Sequence, residues 1–503
     1  MTARTRSGEL RTRRNSSASI STLSPYGSLR RARRAAAFGA TTLLLAGCAV
    51  GPNYTQPTTE ISADYKEAGQ FKEAQPSDAI AKGKWWEIYN DPQLNALEEQ
   101  INVSNPSLKG AQEQFLEARA ALRIARAGYY PNVSVSPSAT GIRQSQTKVF
   151  KPSVITYSDY LIPVDASWEP DVWGRVRRSV EAARSEVQAS AADLANISLS
   201  LHAELALDYF QLRGLDSQKH LLDSTVASYE KALDLTESRF RGGVASAVDV
   251  AQAQTQLETT RARDQDVEVQ RAAFEHAVAV LIGKPPAEFS QPQLPLTGPP
   301  PAIPPGLPSE LLERRPDIAA AERRVEAANA QIGVAKAAYF PVFTLTGAGG
   351  FESQAINMLL TGPSGFWSLA GSAAQLIIDG GQRRGVSEQA RAAYRQSVDN
   401  YRQTTLSAFQ DVEDNLAALR ILEQEAKTQE GAVAAAQHSL DLSNNRYKGG
   451  VANYLEVTTA QFAALGDEVT AVDILTRRVV ASVLLIKALG GGWNASQILN
   501  ASR

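Results

Sequence analysis

Most of this sequence consists of two similar repeats, and that duplication is the strongest constraint on its fold. Residues 105–131 align without gaps on residues 315–341, at an offset of 210. Two shorter matches follow in the same order at an offset of 207, pairing 239–245 with 446–452 and 281–283 with 488–490. Ungapped matches in a constant order favour an internal duplication over chance similarity between helical segments. We therefore predict a first repeat over 94–283 and a second over 310–490.

The segment between the repeats differs in composition from both of them. Ten of the chain's 24 prolines fall within 284–309. Proline interrupts both helices and central strands, so we predict an extended linker there. Residues 491–503 follow the second repeat as a C-terminal tail.

Each repeat contains a stretch that is long for an ordinary globular helix. Residues 175–240 and 383–447 contain no proline, and each would measure about 100 Å as one helix. Apolar residues in the second stretch recur at steps of three and four, which favours coiled-coil-like packing against neighbouring helices. Further helices are expected over 94–127, 244–282, 310–337 and 451–489.

Segments with a period of two separate the short helices from the long ones. Apolar residues alternate with small or polar ones near 133–141, 160–169, 342–351 and 367–378. Alternation over about 10 residues with aromatic ends is typical of a transmembrane β-strand. Four strands cannot close a barrel, and lipid does not tolerate an open edge, so closure requires strands from other copies.

The first 47 residues have the pattern of a targeting signal. They carry nine arginines against one acid, followed by a short apolar run at 35–45, as in a secretory signal peptide. The motif Leu-Ala-Gly-Cys at 45–48 resembles the bacterial lipobox, and Cys48 is the only cysteine. In enteric-type sorting, Ala49 in place of an aspartate implies the outer membrane. We predict a signal peptide over 1–47, a lipid on Cys48 and a lipidated arm over 48–93.

Charge and motif content argue against several function classes. From residue 48 onwards the formal net charge is −10, which disfavours a nucleic-acid binder because phosphate contacts need clustered Lys and Arg. The sequence shows no catalytic or nucleotide-binding motif, and its four histidines stand singly. We therefore expect no enzyme activity, no metal site and no cofactor other than the lipid.

Four motifs together resemble one protein family. They are the segments at 85–94 (WWEIYNDPQL), 307–318 (LPSELLERRPDI), 335–341 (AKAAYFP) and 379–383 (DGGQR). In this order they are similar to the outer-membrane efflux lipoproteins, the TolC-like outer-membrane factors of tripartite pumps. The resemblance implies a mixed, mainly α fold that assembles as a homotrimer. Four strands per chain would form a 12-stranded transmembrane β-barrel, continued by a long periplasmic α-helical barrel.

The resemblance also implies partners and a docking tip. The partners are a periplasmic adaptor (a membrane fusion protein), an RND-type inner-membrane pump and the lipid of the outer membrane. Two Gly-Gly pairs join long helices to returning ones at the end away from the strands, which the family uses for adaptor docking. The expected contact residues are Gly242, Gly243, Val244, Ala245, Ser246, Gly449, Gly450, Val451, Ala452 and Asn453. The alternative is that these glycines only end helices.

Just beyond the second Gly-Gly turn, the family has a closed constriction. The matching residues are Leu455, Glu456 and Thr459, with Asp249 as the equivalent of Glu456 in the first repeat. Thr459 departs from the aspartate that many relatives carry, and a solvated surface role is the alternative for Glu456. We also predict that Arg239 and Arg446 form ion pairs that hold the tip closed.

These features predict a passive, gated outer-membrane conduit. It would export drugs or other small solutes received from an inner-membrane pump through the adaptor. One alternative is the same architecture in an ABC-driven type I secretion system. The other is a non-conducting periplasmic structural lipoprotein.

Overall fold

The computed structural model describes residues 49–59, 64–67, 84–147, 156–303 and 314–493. Cys48, the signal peptide, residues 304–313 of the linker and repeat boundary, and residues 494–503 lie outside the described residues.

The described chain is mainly α-helical, and its helices repeat in length. Their bounds are α1 (Pro92–Ser104), α2 (Pro106–Ala127), α3 (Arg175–Arg241), α4 (Ala247–Leu281), α5 (Pro316–Ala337), α6 (Gln382–Lys448) and α7 (Tyr454–Ala488). Equivalent helices of the two repeats have equal lengths of 22, 67 and 35 residues. Within the described part of the chain, no helix is both long and apolar enough to cross a bilayer.

The expected single helix over 94–127 is wrong. It divides at Asn105, whose backbone is extended. Asn105 Oδ1 accepts a hydrogen bond from the backbone N–H of Leu108 at 2.9 Å, and Pro106 occupies the first position of α2. Proline is favourable at that position, where no intrahelical hydrogen bond is lost, so the break follows from the Asn-Pro pair.

Five strand segments form one antiparallel sheet between the short and long helices. They are β1 (Asn132–Val135), β2 (Ser138–Arg143), β3 (Thr156–Trp168), β4 (Val342–Ser353) and β5 (Gly365–Ala374). β1 and β2 both pair with β3 and are separated at Pro137, while β4 lies between β3 and β5. The sheet therefore has four strand positions, two from each repeat. β5 ends at Ala374, short of the expected 378.

The pairing register sorts the side chains onto two faces, because directly paired residues point to the same side of a sheet. Val164 pairs with both Val135 and Gly349, and Gly349 pairs with Trp367. The face containing these residues, called the apolar face, includes Val133, Val135, Tyr160, Ile162, Val164, Trp168, Leu345, Phe351, Trp367 and Leu369. The opposite, polar face includes Ser134, Thr140, Ser167, Thr344, Thr346, Ser368 and Ser372.

The largest buried core lies where the start of the first repeat packs against the long helices. Trp85 and Trp86 are buried there with Leu94 and Ile101. The cluster also includes side chains of α2, α3, α4, α6 and α7. This core fixes the N-terminal arm to the middle of the helical region.

A buried polar pair joins α1 to α3 in this core. His202 Nδ1 lies 2.7 Å from Glu98 Oε2, and both side chains are at most 5% exposed. The ring of Trp86 stacks on His202 with centroids 4.5 Å apart. Burial raises the pKa of Glu98 well above its usual range and lowers the pKa of His202 to about 4. The pair therefore holds one proton over a wide pH range.

Asp216 is the centre of a second buried polar network, which attaches the linker to α3 and α4. Its carboxylate accepts from Arg213 at 3.0 Å and from Arg271 at 2.7 Å. It also accepts from the backbone N–H of Leu294 at 2.9 Å. The two arginines donate further hydrogen bonds to the carbonyls of linker residues 291 and 292. The start of the proline-rich linker is thus held along the helices.

Gly214 allows α3 and α7 to approach closely. A Cβ added at Gly214 would lie 2.3 Å from Thr476 Oγ1 and 2.7 Å from Thr476 Cγ2. Real Cβ contacts are much longer, so this crossing requires glycine on α3.

Candidate functional site

The two turns at the ends of α3 and α6 have the same backbone structure. Gly243 and Gly450 have φ values of +74° and +77°. The N–H of Val244 donates to Arg239 O at 2.8 Å, and the N–H of Val451 donates to Arg446 O at 3.0 Å. Such bonds satisfy carbonyls at the helix end and need a left-handed residue, which glycine adopts without strain. Helix termination thus accounts for the glycines, whether or not a partner binds there.

The helices that follow the two turns, α4 and α7, begin at residues 247 and 454, three residues after their expected starts at 244 and 451. Ser246 caps α4, accepting from the N–H of Asp249 at 3.2 Å, while Asp249 Oδ2 accepts from the N–H of Ser246 at 2.8 Å. Asn453 caps α7, accepting from the N–H of Glu456 at 3.3 Å. Both are standard helix caps. The carboxylate of Asp249 therefore accepts hydrogen bonds at the N-terminus of its own helix, α4.

The turns expose apolar side chains. Val244 and Val451, at equivalent positions of the two repeats, are 69% and 73% exposed. Val248 and Leu455, at the starts of the returning helices, are also exposed. The tip thus presents two similar apolar surfaces to its surroundings.

The two arginines of the tip have different partners. Arg446 Nε lies 3.1 Å from Glu456 Oε1, and both residues belong to the same helical hairpin, α6–α7. Arg239 belongs to the α3–α4 hairpin and reaches across to the other one. Its guanidinium lies 4.8 Å from the ring centroid of Tyr447, and Nη1 donates to Lys448 O at 3.3 Å. Of the two expected ion pairs, the one at Arg239 is replaced, among the described contacts, by an aromatic ring and a carbonyl.

Sequence reasoning did not identify Tyr447. Its side chain is buried, and it packs edge-to-face on Tyr454 with centroids 5.2 Å apart. The available signal was the aromatic residue that follows the arginine in both repeats, Phe240 in the first and Tyr447 in the second.

The predicted constriction residues Thr459 and Leu455 lie one turn apart on α7, and the Thr459 hydroxyl donates to Leu455 O at 2.8 Å. Both are exposed beside the partly buried Glu456.

At the other end of the helices, aromatic residues mark the transition to the sheet. Trp168 Nε1 donates to Tyr129 O at 3.1 Å, and Trp173 Nε1 donates to Pro341 O at 2.7 Å. The start of the arm lies at the same level. The N–H of Val50 donates to Trp173 O at 3.1 Å, and a Cβ at Gly174 would lie 2.8 Å from Ala49 Cα.

Among the described residues, no group of three or more His, Cys, Asp or Glu side chains could hold a metal ion. Within residues 49–493, the sheet precedes the long helices α3 and α6, and the hairpin turns follow at the opposite ends of these two helices.

Two segments, 97–284 and 307–491, match the family model described as outer membrane efflux protein. The chain belongs to this family. The two matched segments overlap the two predicted repeats.

Relatives and solved structures agree with the family. The chain is 33% identical over 475 residues to the toluene efflux pump outer membrane protein TtgF of Pseudomonas putida, covering 92% of this chain and 98% of the relative. It is 29% identical over 457 residues to SilC of Salmonella typhimurium, described as a "probable outer membrane lipoprotein", covering 90% and 97%. The structure of the outer-membrane channel OprN superposes with a TM-score of 0.84 at 28% identity, covering 89% of this chain and all of that one.

These likenesses confirm the predicted family, the mixed, mainly α fold class and the outer-membrane location. They also confirm export through the outer membrane as the function of this efflux protein.

Proposed function

We propose that three copies of this efflux protein form one continuous gated conduit. Four strands from each copy would build a 12-stranded barrel, and the long helices would continue it through the periplasm. The conduit passively carries drugs or other small solutes delivered by an RND-type inner-membrane pump through a periplasmic adaptor.

The observation that carries the proposal is the open sheet with two sorted faces. β1 and β2 lie along one edge and β5 along the other, and lipid does not tolerate unpaired edges. From Tyr160 to Trp168 the apolar face extends for about 26 Å along β3, which is similar to the height of a bilayer-facing band. Other copies of the chain supply matching edges, and the polar face then lines the lumen.

The exposed turns are the proposed docking surface for the adaptor. Val244 and Val451 are exposed apolar side chains that lie two residues before the capping residues Ser246 and Asn453. The neighbouring residues 245–246 and 452–453 complete the surface at each hairpin. An adaptor with small apolar residues at its own tip would bury these valines.

Near the turns, we propose that Leu455 and Thr459 line the narrow end of the conduit, because they form the exposed side of α7. Glu456 and Asp249 lie beside them, with Glu456 paired to Arg446. The contact of Arg239 with Tyr447 and Lys448 is one of the contacts that join the two hairpins of each copy at the tip. Opening the tip would then require this contact to break.

Acylation of Cys48 would anchor the arm at the membrane. Ala49, which directly follows Cys48 in the sequence, lies beside Gly174 at the junction of the sheet with α3. The description of SilC as a lipoprotein supports this assignment. Radiolabelled palmitate should be incorporated by the wild type and lost in Cys48→Ala, whereas label retained in Cys48→Ala would contradict it.

In-cell photo-crosslinking from Val451 tests the conduit and its partner together. A photoreactive residue there should capture a periplasmic adaptor, identified by mass spectrometry, and the same adaptor should be captured from Ala245. The control is a photoreactive residue at Leu406, which is also exposed but lies far along α6. An adaptor of an ABC exporter would move the function to type I secretion. No adaptor from either turn, despite normal expression, would contradict the docking surface.

A further inference from the structure

The two repeats of one chain contact each other through antiparallel helices, α3 of the first repeat and α5 of the second. The helices α2, α3, α5 and α6 lie side by side in that order. α2 and α6 are therefore the two ends of a row of helices. A second copy of the chain can continue this row by placing its own α2 next to α6.

The duplication predicts how α6 and the α2 of the next copy would fit. α2 corresponds to α5 at an offset of 210 residues, and α6 corresponds to α3 at an offset of 207. Each contact between α3 and α5 within one chain therefore identifies two residues that would meet between copies. Three such contacts are defined by their side chains.

In the first contact, an arginine lies across a glycine. A Cβ added at Gly333 on α5 would lie 2.8 Å from Arg178 Cγ on α3. The equivalent residues are Arg123 on α2 and Gly385 on α6, so the arginine and the glycine have exchanged helices and still complement each other in size. Both are exposed in the single chain, where a Cβ at Gly385 would have no atom of the described residues within 4 Å beyond its own helix backbone and chain neighbours. An exposed glycine weakens a helix relative to alanine, and Arg123 of the next copy would account for it.

The second contact is apolar within the chain and charged between copies. Ala192 of α3 forms one buried cluster with the pair Ala319–Ala320 of α5. The equivalents are Asp399 on α6 and the pair Lys109–Gly110 on α2. The Asp399 side chain is 75% exposed, and its ion pair with Arg402 is long at 3.7 Å. Lys109 is also exposed, so a lysine and an aspartate would lie opposite each other between copies.

The third contact is charged within the chain and neutral between copies. Arg324 of α5 forms an ion pair with Asp193 of α3. The equivalents, Gln114 on α2 and Asn400 on α6, are both exposed. Two amide side chains can donate to and accept from each other. All three contacts therefore correspond to chemically complementary pairs between copies.

The alternative pairings of these helices are less complementary. If α2 of one copy packed on α3 of another, Arg123 would meet Arg178 and two like charges would share one site. If α5 packed on a second α6, Gly333 would meet Gly385 and leave a gap where a side chain belongs. The exchange of arginine and glycine thus favours alternation of first and second repeats around a ring.

We propose that neighbouring copies join through α6 of one and α2 of the next, in the geometry of the α3–α5 contact, with an ion pair between Asp399 and Lys109 at each junction. The proposal rests on the trimeric conduit proposed above. It adds the surface by which one copy recognises the next and the residues that make this recognition specific.

Disulfide formation in the full-length protein tests the helix pairing. Alanine side chains in contact, as in the cluster of Ala192, have Cβ atoms at about the 3.5–4.5 Å separation that a disulfide needs. Lys109→Cys combined with Asp399→Cys should therefore give crosslinked dimers and trimers on non-reducing gels after oxidation. The matched control combines Lys109→Cys with Gln403→Cys, an exposed position one turn further along α6, and should lose these bands. Each single variant keeps Cys48 and controls for crosslinks through it.

Charge exchange tests the ion pair itself. Lys109→Asp or Asp399→Lys alone places like charges opposite each other at every junction, so each should lower the temperature at which trimers dissociate. The double variant Lys109→Asp, Asp399→Lys restores opposite charges and should recover most of the loss.

The outcomes separate this proposal from the conduit. Wild-type trimers with no crosslink between positions 109 and 399, or with equal crosslinking in the control, would overturn the helix pairing and leave the trimer intact. A double exchange no more stable than the single variants would overturn the ion pair. A wild-type protein that forms no trimer would contradict the conduit itself. If the charge variants do not assemble, the cysteine pair still decides the helix pairing.

Discussion

Replacing Arg239 with alanine should open the tip. Its guanidinium stacks on Tyr447 at 4.8 Å, a contact worth about 0.5–2 kcal/mol. The hydrogen bond to Lys448 O is long at 3.3 Å and adds at most about 1 kcal/mol. The loss is therefore about 1–2 kcal/mol per copy.

Three copies that open together multiply this loss. A total of about 3–6 kcal/mol corresponds to roughly a 10²- to 10⁴-fold fall in the ratio of closed to open tips. In planar bilayers this should appear as a large rise in the conductance of single trimers. Tyr447→Leu should have a similar effect, whereas Tyr447→Phe keeps the ring and should behave like the wild type.

The duplication provides the matched control. Arg446 occupies the equivalent position of the second repeat, but its ion pair with Glu456 stays within one hairpin and both side chains are about half exposed. Such a pair contributes about 0–1 kcal/mol, and its loss does not separate the hairpins. Arg446→Ala should therefore leave conductance close to that of the wild type. Unchanged conductance in Arg239→Ala, or an equal rise in Arg446→Ala, would refute this reasoning.

Three further predictions concern stability, measured as the temperature at which the trimer dissociates and unfolds. The first concerns the pair Glu98–His202, whose ordinary pKa values are 4.5 and 6.5. Between pH 4.5 and 6.5 the pair binds about one proton in both the unfolded and the folded chain, so the free energy of unfolding should not change with pH in that range. Above about pH 6.5 the unfolded pair loses its proton, whereas burial raises the pKa of Glu98 and so disfavours this loss from the folded pair. Stability should therefore fall as the pH rises, by at most about 1.4 kcal/mol per pH unit. Glu98→Gln should remove this fall, and an unchanged alkaline slope in that variant would refute the reasoning. Gly214→Ala places a Cβ against Thr476 and should cost about 1–3 kcal/mol, partly recovered by Thr476→Ala; a stabilised single variant would contradict the close crossing. Asp216→Asn leaves the buried Arg213 without its carboxylate and leaves Arg271 with Glu275 alone, so it should cost about 3–5 kcal/mol. The exposed Asp223→Asn should cost under about 1 kcal/mol, and equal losses in the two variants would show that the Asp216 network does not stabilise the fold.

The long elements of the fold could be predicted from the sequence because their signals are local and repeated. The proline-free stretches over 175–240 and 383–447 form α3 and α6 to within one residue at each end. The alternation at 160–169 predicted the apolar face of β3, since a period of two leaves little choice of side. The break at Asn105 was missed because a proline can start a helix as readily as it ends one.

Contacts between distant residues could not be predicted in the same way. The partner of Arg239 lies more than 200 residues away in the sequence, and an arginine can bind a carboxylate, a carbonyl or an aromatic face. The network of Asp216 likewise combines α3, α4 and the linker. Only the packing of whole helices determines which of these groups meet.

The two repeats share a backbone but have diverged in their side-chain contacts, and this has a consequence for the partner. At the equivalent positions, Phe240 is 47% exposed whereas Tyr447 is 6% exposed. A trimer of this chain therefore presents two different kinds of hairpin, alternating around the tip. One kind carries the residue that reaches across, Arg239, and the other carries the ring that receives it. An adaptor that docks in every groove must meet two different surfaces, so photo-crosslinks from Val244 and Val451 should map to two distinct positions on the same adaptor. Crosslinks to one identical position from both residues would show that the adaptor does not distinguish the two kinds of hairpin.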